Sequence, residues 1–200
     1  AVLGEDVCGD VELDATDCYV LPGAIDPHVH LQMPVGDYVS ADDFVTGTVA
    51  AACGGTTTVI DFVEPEDGEP FLGALAARRA LADGCVAVDY GLHMTIPAWH
   101  AAHQEALDSL PEVVAAGSSS FKVYQAYGRL LLDDVLLYAA LSAVASSGGL
   151  PIIHSENGPL CDRLRADAVA AGHTEPRYHA LTRPARPEGE AVGRAVDIAA

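Results

Sequence analysis

Residues 42–63 read DDFVTGTVAAACGGTTTVIDFV, and the order of signals in that stretch decides the fold. An alanine-rich helical pattern, Asp42 to Cys53, is stopped by Gly54-Gly55. A β-branched run, Thr56 to Val63, follows at once. Upstream, Ser40 with Asp43 three residues on resembles a capping box for that helix. Working outward, further strands are predicted at Tyr19 to Ile25, Val86 to Met94, Ser119 to Gln125 and Leu150 to His154. The intervening segments Pro70 to Ala82, Trp99 to Ala116 and Asp133 to Ser147 read as helices, with Pro187 to Ala200 as one more. Gly148-Gly149 stops the helix before the last strand. The strands recur about every thirty residues, the size of a βαβ unit. The fold class is therefore α/β with a parallel sheet, either part of a (β/α)8 barrel or a doubly wound open sheet. A closed barrel needs about 250 residues, so 200 residues read as a partial one.

Composition narrows the functional classes. Half the residues are hydrophobic, enough to build a core, and the net charge is -19, which repels nucleic-acid backbones and anionic lipid alike. Apolar runs are interrupted before the roughly 20 residues that a spanning helix needs, and the amino terminus lacks a basic-then-apolar leader. The expectation is a cytoplasmic protein with neither nucleic-acid nor membrane partner. Five cysteines, Cys8, Cys18, Cys53, Cys85 and Cys161, are odd in number and lack a C-x-x-C pair, and are read as reduced thiols. Of the ten basic residues nine are arginine, and the one lysine is Lys122.

Three strand ends carry metal-competent chemistry. His28 and His30 close the first, in Asp26-Pro27-His28-Val29-His30, where residues i and i+2 of an extended segment share a face and can reach one ion. Lys122 alternates with Phe121 and Val123 on the fourth strand, where both faces of a parallel sheet are dry. Burial favours its neutral, nucleophilic amine, which can take up carbon dioxide as a carbamate; the competing reading is a lysine that snorkels to the rim. His154 ends the fifth strand. In (β/α)8 enzymes these carboxyl ends gather the catalytic groups. His93, at the end of the third strand, reads equally as a site or a packing residue. His100 and His103 read as solvated, and Tyr178-His179 as packing. Gly54-Gly55-Thr56 leads into a strand and so does not read as a phosphate loop.

Taken together, Pro22-Gly23-Ala24-Ile25-Asp26-Pro27-His28-Val29-His30, Gly54-Gly55-Thr56-Thr57-Thr58, Phe121-Lys122, His154-Ser155-Glu156-Asn157-Gly158 and Tyr178-His179-Ala180-Leu181-Thr182-Arg183-Pro184 resemble the dihydropyrimidinases and D-hydantoinases over nearly the whole chain. The resemblance implies a partial amidohydrolase barrel of five to six βα units over residues 19–200, with residues 1–18 a remnant of the family's small β-sandwich. It implies two divalent metal ions, zinc first among them. His28 and His30 would hold the more buried ion, carboxylated Lys122 would bridge, and His154 would hold the more exposed ion. Tyr127 would bind the substrate carbonyl oxygen, and Met33, Val35 and Tyr124 would shape the pocket for the ring substituent. It further implies hydrolysis of a dihydropyrimidine or hydantoin ring to an N-carbamoyl amino acid, in pyrimidine catabolism, by a homotetramer. Two further ligands of that family, a histidine and an aspartate from later strands, have no counterpart here, so the chain alone is expected to hydrolyse nothing efficiently.

Gln32 stands where the related dihydroorotases carry a carboxylate-binding arginine, which argues against that branch. The first rival is a non-catalytic scaffold like the collapsin-response-mediator proteins, which lack the metal ligands that this chain retains. The second is a nucleotide-binding doubly wound domain, which calls for a glycine-rich strand-to-helix turn that is absent.

Overall fold

The computed structural model describes residue 11 and residues 13–200, so Cys8 and most of the expected leader lie outside the described residues. In chain order the elements are β1 (Ala24–Asp26), β2 (Pro34–Val35), β3 (Tyr38–Val39), α1 (Phe44–Cys53), β4 (Thr56–Val63), α2 (Phe71–Ala82) and β5 (Asp89–Thr95). These are followed by α3 (Ala98–Ala101), α4 (Gln104–Asp108), α5 (Leu110–Ala115), β6 (Ser120–Tyr124), a 3-10 turn (Gly128–Leu130) and α6 (Asp134–Ser146). The chain then runs through β7 (Leu150–His154), α7 (Gly158–Ala170), α8 (Arg177–Leu181) and α9 (Ala185–Ala199).

Five strands form one parallel sheet in the order β1-β4-β5-β6-β7, so each crossover lands beside its predecessor, as in a half-built barrel. The two alternatives left by the sequence are thereby decided, because a doubly wound sheet would reverse its strand order. The register aligns Asp26 with Val59, Phe62 with His93, Thr95 with Lys122 and Tyr124 with His154.

The core lies between sheet and helices. Phe121 and Val123, both 0% exposed, join Leu137, Ala140, Leu141 and Val144 of α6 in the main apolar cluster. A fully buried Phe or Val side chain contributes about 1.5–3 kcal/mol, which makes β6 one of the best-anchored strands. Gly149 permits the packing, since a Cβ there would lie 2.5 Å from the Phe121 ring. Among the described residues no helix is long and apolar enough to cross a membrane.

Several expectations need correction. The first strand begins at Ala24, not Tyr19: Tyr19, Val20 and Leu21 are exposed, and among the described residues nothing pairs with them. Gly23 then lets the chain close on β4, where a Cβ would meet the Thr57 side chain at 2.2 Å. The long helix expected over Trp99 to Ala116 is three short ones. His103 is extended between the first two, and Pro111, which lacks an N–H, opens the third. The β2–β3 hairpin and helices α7 and α8 went unread, although α7 carries the usual signals, an Asn157 cap bonded to the Leu160 N–H and Pro159 in its first turn. Cys18, Cys53 and Cys85 are free and exposed, and Cys161 is free and buried.

Candidate metal centre

All eight residues singled out from the sequence, His28, His30, Met33, Val35, Lys122, Tyr124, Tyr127 and His154, line one cavity of about 580 Å3 at the carboxyl ends of the strands. Pro34, Gly36, Glu64 and Leu130 complete it.

The His-x-His segment extends β1. Val29 N–H donates to the Ile60 carbonyl at 3.1 Å, which keeps the chain extended and puts His28 and His30 on one side, their ring centroids 5.1 Å apart. Beneath both lies Phe62 of β4, with centroid separations of 4.6 and 4.7 Å. The turn that follows is clamped. Asp61, 1% exposed, accepts from the Leu31 N–H and from Arg78 Nε at 2.8 Å, while Arg78 also donates to the Leu31 carbonyl and lies over the Phe44 ring. That grip holds Gln32 in a left-handed conformation, φ 46°. Asp61, Phe62 and Arg78 were not singled out from the sequence. An aspartate inside an apolar strand was the available signal, because a buried carboxylate requires a partner.

His93 resolves into a supporting role. The Pro27 carbonyl can only accept, so His93 Nε2 carries the proton and donates to it at 2.8 Å. Nδ1 then accepts from the Ser120 hydroxyl at 2.5 Å. Both ring nitrogens are engaged, and the residue fixes the segment that presents His28.

Lys122 is 4% exposed and, among the described residues, its amine has neither hydrogen bond nor ion pair. Nζ lies 5.7 Å from the Phe62 ring centre and 5.2 Å from that of Tyr124. Burial alone pushes its pKa below the ordinary lysine value, toward the neutral amine. Snorkelling to the rim is thereby excluded.

His154 ends β7 with its ring 4.8 Å from Tyr127 and 5.7 Å from Tyr124. Burial depresses the pKa of His28, His30 and His154 alike, favouring neutral imidazoles with a free lone pair, the form that ligates a metal. Tyr127 sits at φ 69°, an uncommon conformation for a side chain of its size, and directs its phenol into the cavity. Burial and the nearby Glu156 raise its pKa, as burial and Glu64 raise that of Tyr124, so both phenols stay protonated donors.

The donor set fits a cation. His30 Nδ1 is buried without a hydrogen-bond partner, a cost that a metal ion would remove. Among the described residues no three His, Cys, Asp or Glu side chains converge to hold an ion unaided. A metal centre here therefore needs another donor, and Lys122 lines the same cavity as His28, His30 and His154.

Of the other histidines, His100 and His103 are packing residues, whereas His179, expected to pack, is exposed. His100, expected in solvent, is 1% exposed: Nε2 donates to the Glu69 carbonyl and the ring stacks on Phe71. His103 stacks on Trp99 with centroids 3.9 Å apart, half-buried rather than free in solvent, because the break in the expected helix turns it back onto its neighbour. His173 stacks on Tyr178, while His179 is exposed beside Arg183.

Comparison with known proteins places these observations. The amidohydrolase family signature matches residues 19–135. A D-hydantoinase from Geobacillus stearothermophilus is 46% identical over 202 residues, covering 99% of this chain and 42% of that protein. A D-phenylhydantoinase from Escherichia coli K12 is 44% identical over 189 residues, covering 94% and 40% respectively. Among solved structures, a D-hydantoinase superposes with a TM-score of 0.93 at 44% identity over 100% of this chain and 44% of that one. A dihydropyrimidinase from Brevibacillus agri gives 0.84 at 42% identity, covering 94% and 42%. The chain thus spans well under half the length of these relatives.

Proposed function

Because this chain belongs to the amidohydrolase family, we propose that it supplies one wall of a binuclear metal site that opens a cyclic amide, a hydantoin or dihydropyrimidine ring, to an N-carbamoyl amino acid. The observation that carries the proposal is Lys122: a lone lysine, buried and unpartnered, in a cavity shared with three histidines whose lone pairs are free.

In this reading the neutral Nζ attacks the carbon of carbon dioxide. An N–C bond forms, one C–O π pair moves onto oxygen, and the nitrogen releases a proton to water. The neutral amine becomes an anion with two oxygens. His28 and His30 would then hold one divalent ion, His154 the other, and the Lys122 carbamate both; zinc suits this nitrogen and oxygen set. When bound, such a pair supplies a hydroxide at neutral pH and polarises a carbonyl. The Tyr127 phenol donates a hydrogen bond to the oxygen of the ring carbonyl under attack and follows it as negative charge develops. Met33, Val35 and Tyr124 exclude water around the ring substituent.

The test is metal content together with turnover of dihydrouracil and hydantoin by the full-length protein that contains this chain, with and without Lys122→Ala. The native protein is expected to hold two ions with bicarbonate present, and its Lys122 peptide to carry the mass of one carbon dioxide. The variant should hold at most one, with partial recovery on adding a short carboxylic acid. Unchanged metal content and turnover in Lys122→Ala would defeat the assignment.

A further inference from the structure

A second cavity, of about 400 Å3, opens beside the candidate metal centre, and the two share Met33, Pro34 and Glu64. Glu64 is the first residue after β4 and lies two positions beyond Phe62, on whose ring the histidines rest. Extended geometry therefore sends its side chain toward the same interior.

The charged groups of the annex are mostly committed. Arg78 is taken by Asp61 and the Leu31 carbonyl. Arg129 donates to the Pro65 carbonyl at 3.0 Å and lies 3.8 Å from both Glu66 and Asp67. Glu69 accepts from the Glu66 N–H. Only the Glu64 carboxylate, half-buried at the threshold between the cavities, has neither hydrogen bond nor ion pair among the described residues. It is an acceptor without a donor, placed where a ring substituent would leave the catalytic compartment past Met33 and Pro34.

We propose that Glu64 sets substrate specificity, admitting to the annex ring substituents that end in a hydrogen-bond donor or a positive charge and rejecting anionic ones. This rests on the cyclic-amide reading above and extends it from the ring to its side chain. The carboxylate replaces the water that a terminal ammonium loses on entry, whereas an alkyl terminus of equal length leaves it unsatisfied and a carboxylate terminus repels it. The discrimination belongs to one charge-assisted hydrogen bond at a partly wet site, about tenfold.

The experiment compares hydantoins bearing aminobutyl, butyl or carboxyethyl groups, and unsubstituted hydantoin, on the zinc-loaded full-length protein that contains this chain. The native protein should favour aminobutyl over butyl by about tenfold in kcat/KM, with the difference residing in KM. Glu64→Gln should bring that ratio to about one, and Glu64→Lys should turn the preference toward carboxyethyl. If the native protein opens unsubstituted hydantoin yet shows equal kcat/KM for aminobutyl and butyl, the specificity role is wrong while the hydrolase reading stands. An equal drop for every substrate in Glu64→Gln, with the ratio intact, would overturn it in favour of a general role in the chemistry. If the native protein neither binds nor opens any of the rings, the underlying reading fails and takes this inference with it.

Discussion

The two flanks of the metal centre are held in opposite ways. On the β1 side, the segment carrying His28 and His30 is fixed before any ion arrives: His93 grips the Pro27 carbonyl, Asp61 takes the Leu31 N–H, and Arg78 ties that aspartate to the Leu31 carbonyl above Phe44. On the β7 side, the His154 side chain has no hydrogen bond among the described residues, and the Glu156 carboxylate lies 3.8 Å away. Geometry on the first flank is part of the folding free energy, whereas on the second an ion must supply the order itself. On the proposed metal reading, such a site is expected to fill its β1-side position first.

Cutting the clamp is the most severe way to break the contrast. Arg78→Met leaves the Asp61 carboxylate, 1% exposed, without its counter-charge. Removing one partner of a buried pair costs about 3–5 kcal/mol, and urea unfolding of the metal-free protein should show a loss of that size. Zinc titration should show the first ion binding no more tightly than the second. A loss below about 1 kcal/mol would mean that the clamp does not organise the flank. His154→Ala sharpens the contrast from the other side. A half-buried residue with no hydrogen bond to lose should change stability by no more than about 0.5 kcal/mol, while metal content falls from two ions to one. If His154→Ala instead destabilised the apo protein as much as Arg78→Met, the flanks would be equivalent.

This asymmetry also explains what was legible in the sequence. Thr56–Val63 and Leu150–His154 are read to the residue, because β-branched runs bounded by glycine leave one local solution. His28, His30, Lys122 and His154 are legible because strand ends are recognisable locally, and each side chain carries its chemistry wherever it sits. The Asp61–Arg78 clamp and the Glu64 threshold depend on partners from other elements. Arg78 meets Asp61 across 17 residues and the Leu31 carbonyl across 47, distances that periodicity does not span. His100 was misplaced for the same reason, since its burial follows from stacking on Phe71 of a different helix. Tyr19 to Leu21 fail oppositely: apolar and strand-like in composition, they have no strand to pair with among the described residues.

The smallest effect concerns the base of the clamped flank. Arg78 rests on Phe44, the first residue of α1, and α1 is capped by Asp43, whose carboxylate accepts from the Thr46 N–H at 2.8 Å and its hydroxyl at 3.0 Å; the Thr46 oxygen accepts in turn from the Asp43 N–H. Ser40, expected to cap, instead accepts from the Met33 N–H at 2.8 Å and so pins the hairpin. Those bonds to the charged form hold Asp43 below its ordinary value of 3.8. A carboxylate depressed in the folded state binds fewer protons there than in the unfolded chain. Its contribution is therefore complete above 3.8 and disappears as pH falls through the folded value. Asp43→Asn keeps an acceptor at the cap but has no charge to titrate. Its urea midpoint should match the native protein near neutrality only to within a small deficit, and the two curves should converge as acid protonates the native cap. Parallel curves down to about pH 2 would show that the cap contributes no pH-dependent stability, and that α1 is placed by Phe44 burial alone.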